Sequence, residues 1–421
     1  MITAALVVTA VFSLPPLVDA THPGAVLSAS LHKPVGYYLI APASDALDAL
    51  TVLSPGQYWS SFVSCALLFL VLCARRHARS RSGFTFIKTL RALVVFTGAA
   101  VAVVGIALVA WRPMASLQLA DRDLVAVDFH SHTSASHDGR SGFDAERNRE
   151  WHQSSGFNAA YVTDHRTFDG ALDGQKHNPR TVGEWTTLLP GVELRDADEH
   201  PILIGVDPKR MRITSPDWKE AAVAADGGPA PPILLLSLPG NILNIPLAET
   251  SGPVRIAGIE VSDGSPRGIA QAARDHGAIV ELAERLHFAT VAASDNHGWG
   301  RTAPAWSILR IPAWRAMTPG QLDIAIRRTI IDRGPRSIRV IARRTAAPPA
   351  TIVEAAFGGA AIALTTLRTM DTRERISWLT WSWGLCLLSL RQAKSTRRRS
   401  GVRNRRPRKI PAVPSTVEVA A

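Results

Sequence analysis

The sequence predicts an α/β domain held between membrane-inserted helices, and three observations carry that prediction. Between residues 120 and 334, short apolar runs alternate with helix-compatible stretches, as they do in largely parallel sheets. Longer apolar segments, of the length of membrane helices, stand before and after this region. The positive charge of the chain lies beside those segments and not within the α/β region.

The N-terminal region, residues 1–119, holds two or three candidate transmembrane helices. The apolar start Ile2–Val18 is open to two interpretations, a cleaved signal peptide or a retained helix. Trp59–Ala74 is a second segment, and Ala92–Trp111 has twenty uncharged residues, enough to cross about 30 Å of hydrocarbon. The loop Arg75–Arg91 carries six Lys and Arg residues and is expected to stay in the cytoplasm, so the next helix leads outward. We therefore predict a multi-pass membrane protein whose α/β domain is extracytoplasmic.

The charge distribution bears on the partners of the protein. The chain has a formal net charge of +12, but residues 124–334 contain 21 Lys and Arg against 26 Asp and Glu, a net charge of −5. The basic excess lies at Arg75–Arg91, Arg336–Arg344 and Arg391–Lys409, next to apolar segments. This pattern favours contact with membrane lipid and disfavours nucleic acid as a partner, and the sequence identifies no protein partner.

Residues 120–334 are predicted to fold as one α/β domain. Asp144–Ser154 and Gly268–His276 suit helices between strands, and the Pro-, Ala- and Gly-rich Ala221–Pro232 suits a surface loop. The predicted strands are Leu124–Val127, Ala159–Val162, Pro201–Val206, Ile233–Leu236, Ile256–Val261 and Ala289–Ala293.

The C-terminal region, residues 335–390, combines a basic linker with one or two membrane segments. Ile352–Leu367 contains Glu354, whereas Ile376–Leu390 is short and carries three tryptophans of the kind found at membrane interfaces. Residues 391–421 form a basic tail that we expect to be disordered. Its ten Lys and Arg residues favour the cytoplasm, which requires a single crossing after the α/β domain.

Residues of metal-ligand type cluster where the predicted strands end. An extended backbone points both imidazoles of His130-x-His132 to one side, and parallel strands bring their carboxyl ends to one edge of a sheet. All three cysteines lie in apolar segments, so a metal here must use imidazole and carboxylate ligands, which suit Zn, Mn or Fe. The clusters after the first are His137-Asp138, Asp164-His165, Glu193 with His200, and Asp295-x-His297.

These motifs, in this order, resemble the four motifs of the PHP (polymerase and histidinol phosphatase) family over about half of the chain. The resemblance implies a distorted (βα)7 barrel that holds two or three divalent metal ions, with one carboxylate bridging two of them. The ligands that it implies are His130, His132, Asp138 or His137, His165, Glu193 as the bridge, His200, Asp295 and His297. Asp138 resembles the more common Ser-Asp-Gly form of the family.

One position departs from the family pattern, and several other polar residues have weaker assignments. The family usually supplies a histidine before a proline after a middle strand, whereas here Leu238 precedes Pro239. Leucine cannot ligate, so either one metal site is weak or absent or another group fills it. Arg140 and Arg301 are candidates for binding a substrate phosphate, with surface salt bridges as the alternative. Residues interpreted as structural or solvent-exposed are His152, His177, His276 and His287.

The resemblance implies a membrane-anchored, metal-dependent phosphoesterase that hydrolyses a phosphorylated substrate with a metal-bound hydroxide. The rival interpretation is a PHP-like metal-binding membrane sensor or assembly module without turnover. Leu238 and the membrane segments favour the rival, whereas retention of the other ligand positions favours the enzyme. The sequence identifies no catalytic residue beyond the metal-bound hydroxide, and it does not separate monoester from diester substrates.

Overall fold

The computed structural model describes residues 2–25, 27–79, 86–195, 199–209, 211, 230–244 and 254–403 of the chain. The strands in chain order are β1 Leu17–Asp19, β2 Ala29–His32, β3 Ser116–Leu119, β4 Leu124–Ser131, β5 Ala159–Val162, β6 Thr187–Glu193, β7 Ile202–Ile204, β8 Ile233–Leu236, β9 Arg255–Ser262, β10 Ala289–Ala292, β11 Ala305–Arg310 and β12 Ile338–Arg343. The helices are α1 Ile2–Val11, α2 Val35–Leu39, α3 Ala41–Thr51, α4 Pro55–Arg79, α5 Phe86–Val109, α6 Ala145–Ser155, α7 Asp169–Gln175, α8 Pro266–Leu286, α9 Pro319–Arg333, α10 Ile352–Thr369 and α11 Thr372–Arg403.

The fold is mixed α/β, with one large sheet that curls into a half barrel. Its strand order is β1-β12-β11-β4-β5-β6-β7-β8-β9-β10, and β2 pairs with β3 separately. The curl brings β10 back towards β11, where the Ala292 amide donates to the Ser307 hydroxyl at 2.8 Å. Buried apolar side chains such as Val127, Leu203 and Ile259 fill its core.

The alternation of strands and helices predicted a largely parallel sheet, and this prediction is wrong. Among the described strands of the large sheet, four neighbouring pairs are parallel and five are antiparallel. Only eight residues separate β6 from β7, and a parallel crossover needs about a dozen or more, so β7 must return antiparallel. The sheet also extends beyond residues 120–334, because β1 pairs with β12 at its edge.

Local sequence signals explain the helices of the domain. The Asp144 carboxylate accepts from the Arg147 amide and begins α6, and Gly156, with φ of +87°, ends it. Helix α8 runs beyond the predicted Gly268–His276, because Ile279, Leu282 and Ala283 continue its buried face.

Within the part of the chain that the structure describes, three helices are long and apolar enough to cross a membrane. They comprise Pro55–Arg76 of α4, Ile87–Val109 of α5 and Ile352–Thr369 of α10. The segment 376–390 forms part of α11, which continues to Arg403. Residues 404–421 of the tail and most of the surface loop predicted at 221–232 lie outside the described residues.

The end of helix α10 lies next to the end of β12, where the segment that leads into α10 begins. A cavity of about 90 Å³ is lined both by Arg343–Ala346, at the end of β12, and by Thr365, Thr366 and Thr369 near the end of α10. At the other end of α10, the carbonyl of Ala356 accepts from the Ser64 hydroxyl, well inside α4. The chain therefore runs along α4 after Ala346 and comes back as α10.

Candidate metal centre

Backbone hydrogen bonds hold the four motif segments side by side. The Asp295 amide donates to the His130 carbonyl at 2.9 Å, and the His132 amide donates to the Asn296 carbonyl at 3.0 Å. The Arg166 amide donates to the Glu193 carbonyl at 3.0 Å, which joins the segment after β5 to the end of β6. The strand ends thus converge, as expected from the sequence.

Glu193 lies at the centre of the cluster, in contact with four histidines. One carboxylate oxygen, Oε2, lies 3.2 Å from Nε2 of both His130 and His132 and 3.1 Å from Nδ1 of His165. The other oxygen, Oε1, lies 2.7 Å from Nδ1 of His200. Both oxygens of this carboxylate therefore face imidazole nitrogens, so Glu193 could be shared by two cations held there.

Asp295 forms a second centre of the same cluster. Its Oδ1 lies 3.5 Å from His130 Nε2, 3.3 Å from His132 Nε2 and 3.4 Å from His297 Nδ1. The backbone of Asp295 has a φ of +44°, a left-handed conformation that costs a non-glycine residue about 1–3 kcal/mol. Strain of this kind is common where a side chain must point into a functional site.

Asp138 and His137 are the alternatives for one ligand position, and Asp138 lies closer to the other donors. Asp138 lies 3.2 Å from His165 Nε2 through Oδ2 and 3.3 Å from His297 Nε2 through Oδ1. His137 is exposed, and its Nδ1 is 3.9 Å from the Asp138 carboxylate. Both residues can nevertheless reach one cation together with His165.

Two further acids, Glu260 and Asp263, belong to the cluster and were missed by the sequence interpretation. Glu260 Oε1 lies 2.9 Å from His130 Nδ1, and both acids are buried. With His130 they form another group whose ligand atoms could surround one ion. Glu260 lies within the predicted strand Ile256–Val261 and Asp263 follows that strand by two residues, so both stand near a strand end, but the apolar run by itself predicted only a buried strand.

Leu238 is buried, and its backbone supports the site although its side chain cannot. Its amide donates to Glu260 Oε2 at 2.7 Å, while the side chain packs in the apolar core. Three other donors, His165, Glu193 and His200, lie close enough together to surround one ion without a histidine at 238.

Buried residues around the cluster fix its loops. The His152 imidazole lies 2.8 Å from Asp128 Oδ2, and Asp128 Oδ1 accepts from the Ser294 amide at 3.0 Å. Asp164 accepts from both the amide and the hydroxyl of Thr133, at 2.6 and 2.8 Å. His152 is thus a structural residue, as its position away from the motifs indicated.

The two candidate arginines have different surroundings. Arg140 donates from its amide to the His297 carbonyl at 2.9 Å, and its guanidinium lies over the Trp299 ring. Arg301 instead donates to the Arg112 carbonyl at 2.8 Å and lies over the ring of Trp111. Arg140 is therefore next to the cluster, whereas Arg301 is engaged with the segment that follows α5.

The buried carboxylates of the cluster stabilise positive charge on the groups that contact them. Burial lowers the pKa of His132, but hydrogen bonds with Asp295 and Glu193 outweigh burial and raise the pKa to about 9. Burial raises the pKa of Glu193, but the charge of His130 and its hydrogen bonds hold that pKa well below the usual range. Burial lowers the pKa of His165 to about 4, which keeps this imidazole neutral and able to ligate.

The residues present fit divalent cations. Within the described residues, His132 Nδ1, His297 Nε2 and Asp263 Oδ2 are buried without a hydrogen-bond partner, although His297 Nε2 stays within 3.3 Å of Asp138. Orphaned buried donors and acceptors are rare in proteins unless a ligand or ion satisfies them. The imidazole and carboxylate donors suit Zn, Mn or Fe.

Comparison with known proteins gives structural likenesses only. No family model and no curated protein matches the sequence. PsfC from Pseudomonas syringae is similar at 17% identity and a TM-score of 0.38, over 59% of this chain and 99% of that one. A two-domain protein from Bacteroides vulgatus, containing a predicted PHP-like metal-dependent phosphoesterase, is similar at 15% identity and a TM-score of 0.35, over 53% and 66%.

The lesion-specific endonuclease Q from Pyrococcus furiosus is similar at 15% identity and a TM-score of 0.33, over 51% of this chain and 57% of that one. TM-scores and identities this low carry no conclusion about a reaction, which must come from the geometry of the site. In its ordered motifs, and in the convergence of the segments that bear them, the chain resembles the PHP family of metal-dependent phosphoesterases.

Proposed function

We propose that the protein is a membrane-anchored, metal-dependent phosphoesterase. The observation that carries the proposal is the contact of Glu193 with four histidines through both carboxylate oxygens. Two closely spaced divalent ions stabilise both the attacking and the leaving oxygen of a phosphoryl transfer, and a carboxylate that imidazoles face through both oxygens suits such a pair. The proposed ligands are His130, His132, Asp138, His165, Glu193, His200, Asp295 and His297, with His137, Glu260 and Asp263 beside them.

Each residue then has a definite task. Paired divalent ions lower the pKa of water to about 7 and stabilise charge on phosphoryl oxygens. Glu193 and Asp295 each contact histidines from several motif segments and so keep the donors together. Glu260 orients His130 through Nδ1. Arg140 stands beside His297 with a guanidinium that can pair with a phosphate oxygen.

The proposal predicts metal-dependent turnover. The full-length protein, purified in detergent, should release phenolate from an aryl phosphate, lose this activity on chelation and regain it when Zn, Mn or Fe is added. Phosphomonoesters and diesters should be compared in the same assay. If the protein binds metal but never turns over any ester, the sensor or assembly module replaces the enzyme.

We further propose a topology with the α/β domain outside the cytoplasm. Pairing of β1 with β12 requires residues 17–19 and 338–343 to lie on one side, which supports two crossings between them, by α4 and α5. The return of α10 to its starting cavity supports a re-entrant segment without net crossing. The charge of the basic tail favours the cytoplasm, which requires one crossing after the α/β domain. We assign it to the apolar residues 376–390 of α11, although at about 22 Å this stretch is shorter than the three candidate spans.

Enzyme fusions test this topology. Alkaline phosphatase fused after Trp111 should be active, whereas fusions within Arg75–Arg91 and after Arg403 should be inactive, because both segments are basic and are expected to stay in the cytoplasm. Immunoblots control for the amount of each fusion. Activity of the Arg403 fusion equal to that of the Trp111 fusion would contradict the re-entrant interpretation of α10.

A further inference from the structure

The loop that follows the metal motif is bonded directly to the end of α5. The Gly300 amide donates to the Leu108 carbonyl at 2.8 Å, in the last turn of this apolar helix. The Arg112 guanidinium donates to the Thr302 hydroxyl at 3.0 Å, and Asp48 pairs with the same guanidinium at 3.0 Å. The metal-site loop and the helix end therefore form one unit.

This contact fixes how far the candidate site can lie from a bilayer. Gly300 follows His297 by three positions, a length of chain that spans at most about 11 Å. If α5 crosses the membrane, Leu108 lies at the outer boundary of the hydrocarbon, where the headgroup layer is about 5–7 Å thick. The ligand His297 then lies within or just above the headgroup layer.

The side chains on this rim suit a membrane interface. Trp299 is 49% exposed next to the metal motif, and Trp111 is 77% exposed just after α5. Exposed tryptophans of this kind favour the headgroup region of a bilayer. Each lies under a guanidinium, with Arg140 5.4 Å from the Trp299 ring centre and Arg301 5.6 Å from that of Trp111. The tryptophans suit the membrane interface, and the arginines can pair with the phosphate of a lipid headgroup.

We infer that the site takes a lipid-borne phosphoester from the membrane face around the end of α5. The inference rests on the proposed function and names its substrate class. Water adds across the ester: its oxygen bonds to phosphorus, the bond from phosphorus to the lipid oxygen breaks, and that oxygen takes the proton. The lipid alcohol stays in the bilayer and the phosphate, or phosphorylated headgroup, leaves into water.

Matched substrate pairs test the inference in the full-length protein reconstituted in phosphatidylcholine vesicles. The pairs are phosphatidic acid with glycerol 3-phosphate, and phosphatidylglycerol with glycerophosphoglycerol; an aryl phosphate serves as the reference. At equal bulk concentration, the lipid member of one pair should be hydrolysed at least about tenfold faster than its water-soluble counterpart, because enzyme and lipid share one surface. The ratio of these two rates is the quantity measured. Trp299→Ala should lower this ratio by about fivefold, since an interfacial anchor is lost, while the exposed Trp185→Ala should leave it within about twofold.

The outcomes separate the two proposals. Hydrolysis of the aryl phosphate with no preference for either lipid would overturn the inference and leave the phosphoesterase standing. No turnover of any ester would overturn the proposed function and the inference with it.

A second readout needs no turnover. Phospholipids brominated near the headgroup should quench part of the tryptophan fluorescence, and this part should shrink in Trp299→Phe but not in Trp185→Phe. Equal quenching in wild type and Trp299→Phe would place Trp299 away from lipid and contradict the inference.

Discussion

Glu193→Gln is expected to remove most of the bound metal and to lower phosphoesterase activity by at least about 100-fold. Replacing a residue that merely supports a metal ligand already lowers metal affinity or activity by about 10–100-fold, and Glu193 is itself a proposed ligand. An amide lacks the negative charge that faces His130, His132, His165 and His200, so every ion that shares this carboxylate is weakened at once. The measurement is metal content by elemental analysis, with aryl phosphate turnover on the same sample.

The control is Glu184→Gln, an exposed glutamate whose carboxylate accepts a hydrogen bond from the hydroxyl of Thr181. It should keep the metal content and the rate of the wild type. The melting temperature of both variants should be measured, because a misfolded protein also loses metal. Unchanged metal stoichiometry in folded Glu193→Gln would remove Glu193 from the site.

Glu260→Gln is expected to weaken metal binding by about 10–100-fold although Glu260 is not among the ligands that the motifs imply. A carboxylate only accepts hydrogen bonds, so it holds His130 with the proton on Nδ1 and leaves the lone pair of Nε2 towards the cluster. An amide can also donate to Nδ1, which would favour the tautomer protonated on Nε2 and block ligation.

Competition with a chelator of known affinity measures this effect independently of catalysis. Glu284→Gln, on the exposed face of α8, serves as the matched control. An equal chelator midpoint for wild type and Glu260→Gln would show that Glu260 does not orient His130. The amide still accepts from the Leu238 amide, so the variant should remain folded.

The sequence predicted the positions of the strand ends well, because ligand motifs follow short apolar runs. Strand β5 matches the predicted Ala159–Val162, and the His-x-His pair follows β4 as expected. Strands β1, β11 and β12 were missed, since their partners lie far apart in the chain and only tertiary pairing defines them. The antiparallel return of β7 was missed for a different reason, because it depends on the short connection from β6 and not on strand composition.

The sequence predicted the site residues whose type and motif indicate metal binding, and it missed those whose role depends on burial. His130, His132 and Glu193 were evident from their motifs, whereas Glu260 stands inside an apolar run that predicted only a buried strand. Arg301 was assigned from its position after a metal motif. Its contacts with Trp111 and the Arg112 carbonyl, which no sequence spacing reveals, place its guanidinium beside the segment that follows α5.

Titration of metal into the chelated full-length protein, with metal content and aryl phosphate turnover followed together, tests the central claim most directly. The account predicts that turnover returns only after at least two equivalents of Zn, Mn or Fe have bound, since Glu193 joins two donor groups in one site. Full occupancy at less than one equivalent, or two bound equivalents with no turnover of any phosphoester, would contradict it.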